Sequence, residues 1–222
     1  MVTIRGVSAD HYFTADPTAK ADRRHVGFSL FEREYRLVAS GGVFSSSRLD
    51  PGTSVLLHKA PLPAPDSPGP LLDLGCGYGP IAVVLATAAP ETPVYAVDVN
   101  RRALDLVREN ATSVDAAERI VATTPDEVPD DVRFREIWSN PPIRIGKAEL
   151  HALLLRWLPR LAPDGVAWLV VARNLGADSL QVWLIERGWS VERHASQKGY
   201  RVFRVERRGN AGDETADVAQ NG

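Results

Sequence analysis

Cysteine is nearly missing from this chain, with Cys76 as the single thiol in 222 residues. One cysteine excludes an intramolecular disulfide, and with it a disulfide-stapled secreted scaffold; a reducing compartment fits better. Long hydrophobic runs are missing too. No stretch approaches the ~18 apolar residues of a membrane helix, and the opening MVTIRGVSADHYF lacks the apolar centre of a signal sequence. A cytoplasmic protein with no membrane role is expected. The five histidines (His11, His25, His58, His151, His194) show no metal-ligand spacing, so no metal is expected. An excess of one charge is also lacking, since 26 Lys and Arg face 28 Asp and Glu, for a net −2. That balance excludes nucleic-acid binding through bulk charge and leaves a local patch as the only route. Three of the acids, Asp213, Glu214 and Asp217, lie in a closing stretch without Lys or Arg; setting them aside moves the balance from −2 to +1. Residues 207–222 hold Val218 as their one large apolar side chain and read as a disordered polar tail.

What is present suits one α/β domain with a short extension before it. In residues 1–60, His25–Leu30 and Tyr35–Ala39 read as two short strands, Gly41 starts the loop GGVFSSSRLDPGT, and Ser54–Lys59 reads as a helix capped near Asp50. Residues 61–70, PLPAPDSPGP, hold five prolines in ten and read as a semi-rigid linker. From Leu71 to about 206 strands and helices alternate. LLDL, VYAVDV, RIVATT, FREIWS and GVAWLVVA read as strands; helices are expected over Pro80 to about Ala88, Arg101 to about Ala111 and Lys147 to about Leu161. The last of these presents Leu150, Leu153, Leu154, Trp157 and Leu161 at helical spacing. A further helix through Leu180 and Leu184, then WSVERH and YRVFRV, completes the set. Such alternation predicts a mostly parallel, doubly wound sheet with ligands at the carboxyl ends of its strands.

The turn Asp73-Leu74-Gly75-Cys76-Gly77-Tyr78-Gly79 follows the first of those strands. Glycines there let a ligand approach the backbone. The spacing G-x-G-x-G followed by Pro80 departs from the G-x-G-x-x-G of NAD sites and favours S-adenosylmethionine. Asp73, two residues before the first glycine, is placed to hold the cofactor's cationic ammonium through water or the backbone. Asp98 ends the next strand, about 20 residues on, where an acid accepts both ribose hydroxyls. Asn100 is the better candidate for the helix cap that follows. Cys76 has no histidine nearby in sequence and reads as a packing residue of the loop, not a nucleophile.

Ser139-Asn140-Pro141-Pro142-Ile143 ends the fourth strand. The amino group of a base is a poor nucleophile because its lone pair is delocalised into the ring. Acceptors that bind both N–H groups turn that pair toward an incoming methyl, and the Asn140 side-chain oxygen and Pro141 carbonyl can supply two of them. Alignment of nitrogen, methyl and sulfur then carries catalysis, without a strong base.

Together DLGCGYG, VDVN and SNPPIRIGK, with HYF near the start, GVFS and KGYRV, resemble the small-domain rRNA guanine-N2 methyltransferases, in their short single-domain form. The resemblance runs from about His11 to Val205. It implies a Rossmann-like seven-stranded α/β sheet preceded by a strand-rich extension that covers the cofactor. It also implies S-adenosylmethionine as cofactor, S-adenosylhomocysteine as product, and ribosomal RNA or the small ribosomal subunit as partner. By similarity, Asp73, Gly75, Cys76, Gly77 and Gly79 line the methionine and sugar side, Asp98 takes the ribose, Val99 flanks the adenine, and Thr124 lies at its edge. Phe44 and Ser45 cover the cofactor, while Asn140, Pro141 and Pro142 hold the guanine amino group. Two departures stand out. Ile143 replaces the aromatic that follows the prolines in many relatives, so stacking on the base falls to Tyr12 or Phe13. An acid often found near the adenine is replaced by Ala122-Thr123-Thr124.

Arg144, Lys147, Arg173 and Lys198, with Arg23, Arg24 and Arg48, are expected to form a phosphate-binding patch on one rim. Other acceptors of a methyl group remain open at this point: adenine N6, cytosine N4 or a protein glutamine amide. So does a non-catalytic RNA-binding assembly factor, and the oligomeric state, monomer or homodimer, is open too.

Overall fold

The computed structural model describes residues 22–45, 47–142 and 146–209. The described chain opens with an antiparallel hairpin, β1 (Arg23–Leu30) and β2 (Arg33–Ser40), and the helix α1 (Pro51–Lys59). In the hairpin, Val26 and Leu30 alternate with exposed residues and share one buried face with Tyr35, Leu37 and Ala39 of the partner strand. Its other anchor is polar. The backbone N–H of Val38 donates to Asn110 Oδ1 (2.7 Å), and Asn110 Nδ2 donates to the carbonyls of Val38 (2.9 Å) and Tyr78 (2.8 Å).

Helix α1 starts at Pro51, whose fixed φ suits a first turn. Asp50 caps it by accepting from the N–H groups of Gly52 (2.7 Å) and Thr53 (3.0 Å), a cap typically worth about 1 kcal/mol.

The remaining strands form one sheet in the order β5-β4-β3-β6-β7-β9-β8: β3 (Leu71–Leu74), β4 (Val94–Val97), β5 (Ile120–Thr123), β6 (Phe134–Ser139), β7 (Leu161–Ala172), β8 (Trp189–Gln197) and β9 (Tyr200–Arg207). β5 through β7 pair in parallel, while β9 runs antiparallel between β7 and β8. The sheet is the doubly wound, mostly parallel, seven-stranded one expected. Central strands are apolar on both faces because both are covered. Along β7, Trp168 and Val170 face one core, with α1, α2 (Pro80–Ala88) and α3 (Arg101–Thr112). Ala167, Leu169 and Val171 face the other, with α4 (Lys147–Trp157) and α5 (Ala177–Glu186).

Several boundaries differ from the sequence reading: α1 begins at Pro51 and not Ser54, β1 at Arg23, β2 at Arg33, and β8 runs on to Gln197. Helix α4 stops at Trp157, since Pro159 cannot continue the helical ladder. A 3-10 turn spans Leu158–Arg160, and the buried Leu161 begins β7 instead of closing the helix. At the far end β9 continues through Arg207, so the strand takes one residue assigned to the tail. Among the described residues no helix is long and apolar enough to cross a membrane, and no group of three or more His, Cys, Asp or Glu could hold a metal ion.

Candidate active site

Strand order reverses between β3 and β6: from β3 the chain winds outward to β4 and β5, then crosses back to β6 on the other side. Ligands of such sheets settle in the crevice at that point. The loop after β3 is the glycine turn and the loop after β6 is Asn140-Pro141-Pro142, so the two motifs flank the crevice from adjacent strands. The buried Ser139 pins the two strand ends together, its hydroxyl donating to the Leu74 carbonyl at 2.7 Å.

The glycine turn is tight. The N–H groups of Gly75 and Cys76 both donate to the Val97 carbonyl, and Gly79 N–H returns to the Cys76 carbonyl. Gly75, Gly77 and Gly79 have φ of 75°, 54° and 86°, left-handed values that disfavour side chains. Gly79 is required twice over, because a Cβ there would lie 3.0 Å from Val107 of α3. A Cβ on Gly75 would meet nothing within 4 Å, which leaves that face of the turn open to a ligand.

Asp73 lies under the turn, fully buried. Its Oδ2 accepts from Ala82 N–H at 2.9 Å, while its Oδ1 has no partner. Burial raises its pKa to about 8; the Ala82 bond opposes that rise and the charge of Asp98 adds to it. An orphaned buried carboxylate oxygen beside an open glycine face suits a cationic ligand group, as the ammonium of S-adenosylmethionine would be. Asp98, half-buried after β4, accepts from Gly77 N–H (3.0 Å) and Asn100 N–H (2.9 Å). Desolvation outweighs those bonds and raises its pKa too. Asn100 caps α3 through Ala103 N–H, as expected. The Cys76 thiol is buried, and burial, with Asp98 and Asp73 nearby, holds it well above its ordinary range, which suits packing and not nucleophilic attack.

The extension reaches the same crevice. Asn100 Nδ2 donates to the Gly42 carbonyl and Arg102 to that of Gly41, and Val43 is buried with its Cγ1 3.9 Å from where a Gly77 Cβ would stand. Phe44 follows, 44% exposed, and Val99 beside Asp98 is 43% exposed.

Near Thr124 an acid outside the Ala122-Thr123-Thr124 run folds back onto it. Glu127 Oε2 accepts from the Thr124 N–H and the Thr123 hydroxyl, both at 3.0 Å. Those bonds lower its pKa. The T-x-x-E spacing from Thr124 to Glu127 is that of a capping box, a pattern that the sequence reading did not single out.

Asn140 is half-buried. Its Nδ2 donates to Asp50 Oδ1 (2.6 Å) and to Thr53 Oγ1 (3.0 Å), both from the first turn of α1. Pro141 is buried and Pro142 half-buried. Sequence reasoning recognised Asp50 as a helix cap and gave no hint that it holds Asn140, 90 residues away.

The cation patch is only partly assembled. Arg173 N–H bonds the Gly199 carbonyl, so Arg173 and Lys198 are neighbours at the carboxyl end of β7; Lys147 opens α4, and these three with Arg48 are exposed. Arg23 and Arg24 do not join as free cations, because Arg23 pairs with Glu109 of α3 and Arg24 with Asp22. Tyr12, Phe13, Ile143 and Arg144, all expected at the substrate, lie outside the described residues.

Comparison with known proteins agrees with this geometry. The family model described as methyltransferase small domain matches residues 34–204. The uncharacterized protein YbxB of Bacillus subtilis is 30% identical over 204 residues, covering 90% of this chain and 99% of that protein. Ribosomal RNA small subunit methyltransferase C of Aeromonas hydrophila is 38% identical over 135 residues, covering 60% of this chain and 37% of the enzyme. Among solved structures, the Thermus thermophilus 16S rRNA N2 G1207 methyltransferase, in complex with AdoMet and guanosine, superposes with a TM-score of 0.69 at 22% identity. That match covers 86% of this chain and 52% of the other. The chain thus spans about half or less of the rRNA methyltransferases it matches.

Proposed function

The chain belongs to the methyltransferase small domain family and is an S-adenosylmethionine-dependent methyltransferase, and from that premise we propose that it methylates an exocyclic amino group of an RNA base, guanine N2 in small-subunit ribosomal RNA. The observation that carries this reading is the state of Asn140. Both hydrogens of its amide are taken within the protein, so its oxygen is the only polar atom of the side chain left for a substrate. An acceptor beside the carbonyl of Pro141 suits a nucleophile that carries two N–H groups. The names of the Aeromonas hydrophila enzyme and of the Thermus thermophilus structure, with its bound guanosine, favour guanine in ribosomal RNA.

In this reading S-adenosylmethionine supplies an electrophilic methyl group on a sulfonium centre and leaves as S-adenosylhomocysteine. Asp73 balances the cofactor's ammonium, Asp98 accepts from its ribose, and Gly75, Cys76, Gly77 and Gly79 let the backbone lie against it. Val99 and Thr124 border the adenine, with Glu127 fixed beside Thr124. Phe44 and Val43 of the extension cover the crevice and exclude water. Asn140 and Pro141 bind the two amino hydrogens and rotate the nitrogen lone pair out of the ring plane. The amino proton becomes acidic as the nitrogen gains positive charge and is given up to solvent water after transfer, so neither a general base nor a metal is invoked. Positioning of this kind can lower a barrier by several kcal/mol, up to roughly 7–11. Lys147, Arg173, Lys198 and Arg48 hold RNA phosphates near the rim.

Nucleosides mapped in ribosomal RNA from cells with and without the gene test the reading, with loss of one N2-methylguanosine as the expected result. Loss of an N6-methyladenosine or an N4-methylcytosine, or of methyl from a protein glutamine, would replace the guanine assignment. With purified protein, Asn140→Ala should keep cofactor affinity while turnover drops at least about tenfold, equivalent to about 1.4 kcal/mol in the barrier.

A further inference from the structure

We propose that Asp50, assisted by Thr53, is a positioning residue that locks the Asn140 amide so that its oxygen, and never its nitrogen, faces the substrate. The inference rests on the reading of Asn140 as an acceptor for the substrate amino group. A terminal amide presents an oxygen on one side and an NH₂ on the other, and the two orientations are nearly isosteric. An Asn at the end of a strand therefore needs a neighbour that distinguishes them. Asp50 does so, because a carboxylate oxygen only accepts, and it lies 2.6 Å from Asn140 Nδ2. Thr53 Oγ1, at 3.0 Å, receives the second hydrogen, which completes the donor count of the amide.

The local fold is arranged around that carboxylate. Asp50 Oδ1 accepts three bonds in all, from Gly52 N–H, Thr53 N–H and Asn140 Nδ2. Gly52 keeps the space clear, since a Cβ there would stand 3.0 Å from Asp50 Oδ1 and 2.9 Å from the ring of Tyr200 on β9. Asp50 also acts toward the glycine turn: after burial, its charge is the second cause that holds the Tyr78 phenol above its ordinary pKa. One carboxylate thus stands at the first turn of α1, against the motif that follows β6 and within electrostatic reach of the turn that follows β3.

Two consequences follow for chemistry. A negative charge behind the amide draws its dipole into line and enriches the oxygen, which strengthens its bond to an amino group that is becoming positive. The fixed orientation also rejects substrates that would present a carbonyl oxygen at this point, because two acceptors would face each other. Asp50 touches neither substrate nor cofactor in this scheme; it works through Asn140.

The test is a set of double-mutant cycles. Asp50→Ser keeps a good helix cap but loses the charge and the reach. Thr53→Val keeps the shape but loses the acceptor. Methyl transfer from labelled S-adenosylmethionine is measured on small ribosomal subunits from a strain lacking the gene. Asp50→Ser should lower kcat roughly tenfold, the scale for loss of a charged hydrogen bond, with the Kd for S-adenosylhomocysteine unchanged within about twofold. Thr53→Val should have a smaller effect of the same kind, and Asp50→Asn, which keeps an oxygen in place, should restore part of the rate. In an Asn140→Ala background, Asp50→Ser should change kcat less than about twofold. An equal drop in both backgrounds overturns the proposal, because Asp50 would then act independently of Asn140. Normal turnover in Asp50→Ser with a defective Asn140→Ala also overturns it and leaves the functional reading standing. Normal turnover in Asn140→Ala sinks both. A readout that needs no substrate is the Asn140 side-chain amide pair in ¹⁵N spectra, assigned by its loss in Asn140→Ala. The proton bonded to the carboxylate should shift upfield in Asp50→Ser, and an unmoved pair overturns the lock.

Discussion

Replacing Asn140 by Asp is nearly isosteric, yet it sets a carboxylate where an NH₂ group stands 2.6 Å from Asp50 Oδ1. Two unit charges about 4 Å apart near a protein surface repel by roughly 4 kcal/mol at an effective dielectric of ~20. The pair can instead retain a proton. That costs about 1.4 kcal/mol for each pH unit above an ordinary carboxylate pKa of ~4, hence roughly 4 kcal/mol near pH 7 and ~1.5 near pH 5. Asn140→Asp should therefore unfold more easily than the wild type by up to about 4 kcal/mol near pH 7, or roughly 8–16 °C in Tm for a domain of this size. Most of that penalty should vanish by pH 5. The exchange Asp50→Asn with Asn140→Asp restores one carboxylate and one amide. It should recover most of the stability without recovering methyl transfer, since the amide would then sit on the wrong side of the pair. Urea unfolding of the wild type, the two single variants and the exchange at the two pH values measures all of this. A destabilisation independent of pH, or one that the exchange leaves uncorrected, refutes the claim that Asp50 and Asn140 share a hydrogen bond.

Three further outcomes follow from the site. Asp73, raised to about 8 by burial, should ionise when a cationic ligand group is placed near it. Binding of S-adenosylmethionine between about pH 5.5 and 7 should thus release close to one proton, read by calorimetry in two buffers of different ionisation enthalpy; zero release counts against the ammonium contact. Because the folded-state pKa lies above the unfolded one, the ionised form costs stability as pH rises from about 4 to 8, so ligand-free Asp73→Asn should melt above the wild type near pH 8 while binding cofactor more weakly. For RNA, Lys147→Ala with Lys198→Ala should flatten the dependence of log affinity on log salt by about 0.7–0.9 for each phosphate no longer neutralised. Arg24→Ala, already paired with Asp22, should leave the slope unchanged, and an unaltered slope in the lysine double variant removes these residues from the RNA-binding surface.

The parts of the fold written in local pattern could be read directly from sequence. Alternation of apolar strands with helices predicted the parallel sheet, Pro80 and Ala88 bounded α2 as expected, and the glycine turn stands where a ligand turn should. The pairing of β9 with β8 is a local hairpin across Lys198-Gly199, both at positive φ, but the insertion of β9 antiparallel against β7 left no such mark, because that neighbour is chosen by packing across the sheet. The end of α4 was misread for a different reason. Leu161 falls at helical spacing and is buried, but Pro159 overrides the period. At the candidate site, motifs were legible and their supports were not. Asn140, Asp98 and Asp73 were singled out by spacing, and the structure brings their loops to one crevice, whereas Asp50 with Asn140, Arg23 with Glu109 and Val38 with Asn110 are joined across 90, 86 and 72 residues, where local sequence carries no signal.

Asn110 commits its entire amide to backbone, two bonds to β2 and one to the carbonyl of Tyr78. It is a coupling pin between a two-stranded flap and the ligand turn. Were the hairpin to leave α3, two of those bonds would break together and the same side chain would keep only its hold on Tyr78. One amide thus ties the outer sheet, through α3, to the segment that carries Gly77 and Gly79.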